Sequence, residues 1–98
     1  MDINALDSSI AELTKTNHTI IAIVGTAGTT DLGVIDPLDD IATRCEQINA
    51  WFHIDAAVVG SYLMSPKLSP MLHGIARADS VTIDFHKLWF QPFNASAL

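Results

Sequence analysis

The spacing of hydrophobic residues changes several times along the chain, and each change marks a predicted element. Apolar residues recur at helical spacing over residues 3–13, and Asp2 stands where it can cap the start of this helix. Residues 19–24 are instead apolar on both faces, as a central parallel strand would be. Residues 25–33 are small and polar, which is typical of a loop.

The second part of the chain continues this alternation. Asp36 and Pro37 open a second predicted helix, with Asp36 as its N-cap and Pro37 in its first turn, and the helix ends near Asn49. Three further strands, with a loop or short helix after the first of them, are predicted over residues 50–55, 80–84 and 95–98. This order of strands and helices predicts an α/β fold with a largely parallel, helix-covered sheet.

Composition narrows the classes of partner and compartment. The 98 residues suffice for one small domain or for a piece of a larger one. The net charge of −6 argues against nucleic acid or an anionic membrane surface as partner. No signal peptide or membrane span is visible, and the single cysteine, Cys45, is expected to be buried in the second helix. These features predict a cytoplasmic protein.

Three candidate functional features follow predicted strands directly. They are the loop 28–30, the acid Asp55 and the pair His86-Lys87. Ligands of open α/β sheets bind at the carboxyl ends of the strands, so we expect the three features to lie close together. None of them matches a nucleotide-binding fingerprint.

Asp55 and Lys87 each have a functional and a structural interpretation. The carboxylate of Asp55 ends an apolar strand and is followed by small alanines, so a flat cationic ring could meet it; alternatively it caps the next helix. Lys87 lies in the most aromatic stretch of the chain, where partial desolvation favours the neutral amine that attacks aldehydes. The alternative is a lysine whose stem packs at a strand end while its charge reaches water.

A divalent-metal site is a competing hypothesis. His53 with Asp55, and Asp84 with His86, each place a histidine and an acid two positions apart on one face of a strand. Lys87 beside such a cluster would repel a cation, so we expect no metal.

The chain also resembles a known family. Segments that carry the resemblance are GTAGTT at 25–30, IDPL at 35–38, HIDAA at 53–57, ADSV at 78–81 and DFHK at 84–87. In this order they closely resemble the group II pyridoxal-phosphate decarboxylases, which include aromatic-L-amino-acid, glutamate, cysteine-sulfinate and 2,4-diaminobutyrate decarboxylases. The resemblance implies that residues 1–98 are part of the large domain of the aspartate-aminotransferase type (fold type I). That domain is a mostly parallel sheet with helices on both faces, and no second domain is expected here.

The resemblance also implies roles for single residues. Lys87 would form the internal aldimine with pyridoxal 5'-phosphate, and Asp55 would pair with the pyridine nitrogen. The other implied cofactor-site residues are His86 near the phosphate, Thr30 in the pocket, Ala57 against the ring and Asp84 near the phosphate. Asp84 is unexpected, because an acidic side chain that faces a phosphate is unfavourable.

The activity implied by the resemblance is decarboxylation of an L-amino acid to an amine by a homodimer. The family's ring-stacking histidine lies upstream of such a segment, and its catalytic loop and small domain lie downstream. The alternative is therefore a non-catalytic fragment of such an enzyme. Val59 replaces a usual glycine and Asn94-Ala95 a common Ser-Cys pair, which obscures the substrate. The segment 85–88 most resembles bacterial enzymes that act on diamino acids.

Overall fold

The computed structural model describes residues 1–98. The helices are α1 (Ile3–Lys15) and α2 (Leu38–Ile48), and the strands are β1 (Ala22–Thr26), β2 (Trp51–Asp55), β3 (Ser80–Asp84) and β4 (Ser96–Ala97). Between β2 and β3 the chain forms three short 3₁₀ helices, Gly60–Met64, Ser69–Leu72 and Ile75–Arg77. None of the helices combines the length and the apolar character that crossing a membrane would require.

The four strands form one sheet in the order β1-β2-β3-β4. β1 pairs with β2 and β2 with β3 in parallel, whereas β4 runs antiparallel to β3. The prediction of a largely parallel α/β sheet is confirmed. Asp55 at the end of β2 is in register with Thr26 on one side and Thr82 on the other. The carboxyl ends of the three parallel strands therefore meet at one edge.

The start of each predicted helix is a separate test of the sequence pattern. Asp2 caps α1 as predicted, with its carboxylate accepting a hydrogen bond from Ala5 N at 2.8 Å. The prediction that Asp36 caps α2 is wrong: the N-cap is Pro37, and no side chain bonds to it. The Asp36 carboxylate instead accepts a hydrogen bond from Thr26 N at 2.8 Å and pairs with the terminal amine of Met1. The Asp36 side chain therefore links the loop before α2 to the last residue of β1.

The first strand also differs from its prediction. β1 begins at Ala22 and runs to Thr26, whereas the apolar run predicted a strand over residues 19–24. Ladder pairing starts where β2 does, since Ala22 faces Trp51, the first residue of β2. Of residues 19–24 only Ile23 is buried, so hydrophobicity marked the region of the strand, but the partner strand decides where the strand begins.

The core lies between α2 and one face of the sheet. It is a cluster of eleven buried residues: Ile23, Ala27, Leu38, Ile41, Ala42, Cys45, Phe52, Ile54, Ala56, Val59 and Leu72. The free thiol of Cys45 is buried as predicted, and this burial raises its pKa. Within these 98 residues α2 covers one face of the sheet, while residues of the other face such as Val24 and Trp51 are exposed.

Arginines fasten the outer elements to α2. Arg44 of α2 donates two hydrogen bonds to the Asp7 carboxylate of α1, both at 3.0 Å. This hydrogen-bonded pair lowers the pKa of Asp7. Arg77, just before β3, forms ion pairs at 2.8 Å with both Asp39 and Glu46 of α2. These contacts hold α1 and the segment that leads into β3 against the same helix.

Candidate active site

The loop after β1 is shaped around a glycine. Gly28 has a φ of 88°, and a Cβ atom there would lie 2.4 Å from Cγ1 of Val59, which is buried. No other residue fits this position without strain and overlap. The loop closes through the hydroxyl of Thr29, which accepts a hydrogen bond from Val34 N at 3.1 Å. The next residue, Thr30, is exposed beside it.

Asp55 ends β2 and lies at the carboxyl edge of the sheet. Its side chain is exposed, and one carboxylate oxygen accepts a hydrogen bond from the backbone N–H of Ala57 at 3.1 Å. None of the ion pairs in the structure includes Asp55. The second oxygen is thus available to a cationic donor, and the Ala57 contact fixes the direction in which the carboxylate points.

A row of hydrogen-bonded side chains occupies the same face of the sheet as Asp55. Trp51 Nε1 donates to the Ser80 hydroxyl at 2.9 Å, and that hydroxyl lies 2.8 Å from Nδ1 of His53. Nε2 of His53 lies 3.3 Å from the hydroxyl of Thr82, the register partner of Asp55. This polar row was not foreseen from the sequence, because its members become neighbours only through the β2–β3 register.

Lys87 follows β3 in a turn and is held by an acid. Its Nζ lies 2.8 Å from Oδ2 of Asp84. The hydroxyl of Ser96 in β4 donates to the other oxygen of Asp84 at 2.7 Å. The hydrogen bonds from Lys87 and Ser96, in that order of size, lower the pKa of Asp84. The sequence predicted Asp84 near a bound phosphate. The structure adds a direct contact between Asp84 and Lys87.

His86 is oriented by the strand that returns beside β3. Nδ1 of His86 lies 3.0 Å from the carbonyl oxygen of Ala95, so this nitrogen carries the proton and donates. The ring also contacts Phe93 edge to face, with centroids 5.0 Å apart. Nε2 is the nitrogen left to meet a ligand, and it lies 3.7 Å from Oδ2 of Asp84.

The metal hypothesis receives no support from this arrangement. His53 is engaged with Ser80 and Thr82 rather than turned toward an ion. The histidine, cysteine, aspartate and glutamate side chains form no group of three or more that could hold a metal ion. The pairs His53/Asp55 and Asp84/His86 are not assembled into one site.

The residues at the carboxyl edge do fit a pyridoxal phosphate group. The free oxygen of Asp55 suits a protonated ring nitrogen, and Lys87 supplies a primary amine from the adjacent strand end. Ala57, which follows the buried Ala56, is small enough for a flat ring to approach. The donor set of carboxylate, amine, imidazole and hydroxyl matches the chemistry of that group better than that of a metal ion.

Comparison with known proteins identifies the family of the chain. Residues 1–98 match the family described as the pyridoxal-dependent decarboxylase conserved domain. The chain is 41% identical over 97 residues to L-2,4-diaminobutyrate decarboxylase of Acinetobacter baumannii, covering 99% of this chain and 19% of the relative. It is 45% identical over 93 residues to acidic amino acid decarboxylase GADL1 of Xenopus tropicalis, covering 95% and 18%. The chain thus spans about a fifth of the length of these relatives.

Solved structures agree in backbone geometry. The mouse CSAD structure in apo form superposes with a TM-score of 0.94 at 40% identity, over 98% of this chain and 20% of the other. The Oryza sativa TDC structure with PLP and tryptamine gives a TM-score of 0.92 at 26% identity, over 98% and 20%. The chain belongs to the pyridoxal-dependent decarboxylase family, whose cofactor is pyridoxal phosphate, and its fold is that of fold type I.

Proposed function

We propose that this chain supplies the lysine and the ring-nitrogen acid of an enzyme that decarboxylates an L-amino acid with pyridoxal phosphate. The observation that carries the proposal is the placement of Asp55 and Lys87 at the ends of neighbouring parallel strands, in a member of this family. An acid and an amine that could both hold the cofactor therefore lie at the same edge of the sheet.

Each residue has a defined task in the proposal. Lys87 binds the cofactor covalently and later returns to that bond when the amine product leaves. Asp55 keeps a proton on the ring nitrogen, and the N–H of Ala57 holds the carboxylate in place for this task. When bound, pyridoxal phosphate supplies the electron sink for the Cα–carboxylate bond that breaks.

The remaining residues of the edge would hold the cofactor in position. His86 would direct Nε2 at the phosphate, because Nδ1 is already committed to the carbonyl of Ala95. Thr30 would offer its hydroxyl from the loop after β1, and Ala57 would lie against the ring. Asp84 would contact Lys87 rather than the phosphate, which removes the electrostatic objection to an acid at this position.

The substrate class and the assembly are part of the same proposal. Two similar relatives bear the name L-2,4-diaminobutyrate decarboxylase, which favours a diamino acid as substrate. We propose a cytoplasmic homodimer, as the family resemblance implies, and the net charge of −6 argues against nucleic acid or anionic lipid as a partner. Assays with diaminobutyrate, aspartate, glutamate and aromatic amino acids in parallel would rank these substrates.

The direct test is chemical labelling of the lysine in the full-length protein. The protein is reduced with borohydride after addition of pyridoxal phosphate, and its peptides are mapped. A pyridoxyl label is expected on Lys87 and absent from the same peptide of Lys87→Ala. A label on Lys15 or Lys67 instead would reject the assignment of Lys87.

The second candidate, a non-catalytic fragment, rests on the open face of the sheet. Apolar residues such as Val24 and Trp51 are about half exposed there, at 53% and 54%. The 98 residues expressed alone are expected to self-associate and to release no carbon dioxide, because exposed apolar faces and open strand edges promote association. Stoichiometric cofactor binding and turnover by residues 1–98 would show that the site is self-contained.

A further inference from the structure

We propose that Asp84 and Ser96 form a latch that holds Lys87 in the cofactor-free protein and limits the rate at which Lys87 bonds to its cofactor. The latch is defined as these two side chains together with the Nζ of Lys87. The inference rests on the proposed function, in which Lys87 is the residue that carries pyridoxal phosphate.

The geometry of the latch differs from that of a surface ion pair. The Asp84 side chain is only 16% exposed, and its two oxygens are taken by different donors, Lys87 at 2.8 Å and Ser96 at 2.7 Å. Ser96 reaches Asp84 because the two residues are register partners in the β3–β4 ladder. The backbone itself therefore fixes the hydroxyl that orients the carboxylate.

The sequence pattern gives no sign of this arrangement. Asp84 and Lys87 are three residues apart in a turn, and Ser96 lies twelve residues beyond Asp84 in the return strand. The other two lysines, Lys15 and Lys67, take part in no ion pair. Of the three lysines, only the one at the strand end is restrained by an acid.

The chemistry of attachment explains why the latch matters. Lys87 must first release a proton, because an ammonium has no lone pair with which to attack a carbonyl carbon. The lone pair of Nζ would then attack the aldehyde carbon, and the aldehyde oxygen would leave as water with the two remaining Nζ hydrogens, so that a C=N bond replaces the C=O bond. The Asp84 carboxylate opposes this attack because its contact at 2.8 Å occupies Nζ and holds it away from any other partner.

Ser96 adds restraint without adding charge. Its hydroxyl holds one oxygen of Asp84, so that the other remains directed at Lys87. Without that hydrogen bond the carboxylate could rotate, and the ion pair would compete less well with water. Loss of Ser96 should therefore weaken the latch, whereas loss of the Asp84 charge should remove it.

The test measures attachment rather than turnover. Full-length protein is stripped of cofactor, pyridoxal phosphate is added, and the absorbance change on bonding is followed by stopped flow. Asp84→Asn is expected to accelerate attachment about fivefold, the size typical of one partly exposed ion pair. Ser96→Ala should give a smaller acceleration of about twofold. Glu12→Gln, which removes one negative charge on α1, serves as the charge-matched control and should change nothing.

A second aldehyde separates the latch from repulsion between Asp84 and the phosphate. Pyridoxal lacks the phosphate, so relief of that repulsion would accelerate only pyridoxal phosphate in Asp84→Asn. The latch predicts the same acceleration with both aldehydes. Equal rates for wild type, Asp84→Asn and Ser96→Ala would overturn the latch, as would acceleration confined to the phosphorylated aldehyde.

Lys87→Ala distinguishes failure of the latch from failure of the proposed function. If attachment persists unchanged in Lys87→Ala, another lysine carries the cofactor and the proposed function itself is wrong. If attachment is lost in Lys87→Ala but is indifferent to Asp84 and Ser96, only the latch is rejected. Thermal unfolding of each variant shows whether it is folded, and Ser96→Ala keeps the test decisive should Asp84→Asn be unstable.

Discussion

The two faces of the sheet are built from the same four strands and yet differ in burial and in hydrogen bonding. In β2 the residues that face α2, Phe52 and Ile54, are 1% and 0% exposed. Their neighbours on the opposite face, Trp51 and His53, take part in a row of hydrogen bonds, and Trp51 remains half exposed. Alternation along one strand thus separates a dry core from an exposed face, the polar face. This face combines apolar side chains such as Val24 with the row of hydrogen bonds, and it carries Asp55 at the carboxyl end of β2.

The difference separates the residues that stabilise the fold from the residues proposed to carry the chemistry. The α2 face contains no buried charged or polar residue, so its contribution to stability is hydrophobic. The polar face carries Asp55, and the turn after β3 carries Lys87. One buried donor, Nε1 of Trp89, has no partner in this region. This unpartnered donor lies in the same turn as Lys87 and outside the core that packs against α2.

The largest effect is expected from truncation on the α2 face. Phe52→Ala should destabilise the full-length protein by about 3–5 kcal/mol, because it leaves a cavity against α2. Trp51→Ala, one residue away and half exposed, should cost clearly less. Chemical denaturation of both variants measures the difference. Equal costs would show that another segment of the full-length protein covers the polar face as tightly as α2 covers the core.

The next largest effect is expected on the catalytic rate, and it should leave the unfolding midpoint almost unchanged. Asp55→Asn should lower kcat about 10²-fold or more, because the ring nitrogen loses an ionic partner whose interaction strengthens in the transition state. Its unfolding midpoint should match the wild type, since the Asp55 side chain is exposed and forms no ion pair. Near-normal turnover of this variant would assign Asp55 a structural role. Activity measured with and without a chelator tests the metal hypothesis in the same preparation.

Much of the fold was predictable because local pattern and tertiary structure agree. β3 spans the predicted residues 80–84, and Asp2 caps α1 as expected. The predictions are wrong where residues that are distant in sequence determine the local structure. Asp36 has a favourable position for a cap, but the backbone N–H of Thr26 competes for its carboxylate and wins. No pattern in the sequence shows that Thr26 is near.

The candidate site was predictable to a smaller extent. The positions of Asp55 and Lys87 at the ends of β2 and β3 were predictable, because the strand pattern before each of them is clear. Ser96 and the contact between Gly28 and Val59 were not, because both depend on how segments far apart in sequence are brought together. The contact of Ser96 with Asp84, twelve residues earlier, can be inferred only once β4 is known to run antiparallel to β3. The register between strands is what the sequence left open.

An effect of intermediate size on stability is expected at Gly28, in the loop after β1. Gly28→Ala should destabilise the protein by about 2–4 kcal/mol, because its φ of 88° is unfavourable for alanine and the new Cβ overlaps Val59. Gly33→Ala is the matched control, with a φ of 63° but nothing within 4 Å, and should cost only about 1 kcal/mol. The pair measures the overlap separately from the backbone strain.

A double variant decides where the cost of Gly28→Ala arises. In the background Val59→Ala the added methyl group has room, so Gly28→Ala should then cost about as much as Gly33→Ala. A cost that stays unchanged in that background would mean that Val59 does not limit the position. Cofactor attachment in the same variants shows whether the loop at Thr30 depends on this packing.

The smallest effect lies on the outer side of α2 and appears only in acid. Arg77 donates a hydrogen bond to the Asp39 carboxylate at 2.8 Å, and this bond, more than the nearby charges of Arg77 and His73, lowers the pKa of Asp39. Because the folded pKa lies below the ordinary value of 3.8, the pair contributes stability above that value. The contribution is lost as the pH falls through the lowered pKa of the folded state.

Thermal unfolding of wild type and Asp39→Asn across this range tests the direction of the effect. The wild type should unfold at a slightly higher temperature at neutral pH, and the two midpoints should converge as the pH falls below about 3.8. Asp31→Asn, in the exposed loop after β1, should show no such convergence. A difference between wild type and Asp39→Asn that persists unchanged in acid would mean that the effect arises from packing rather than from the ion pair.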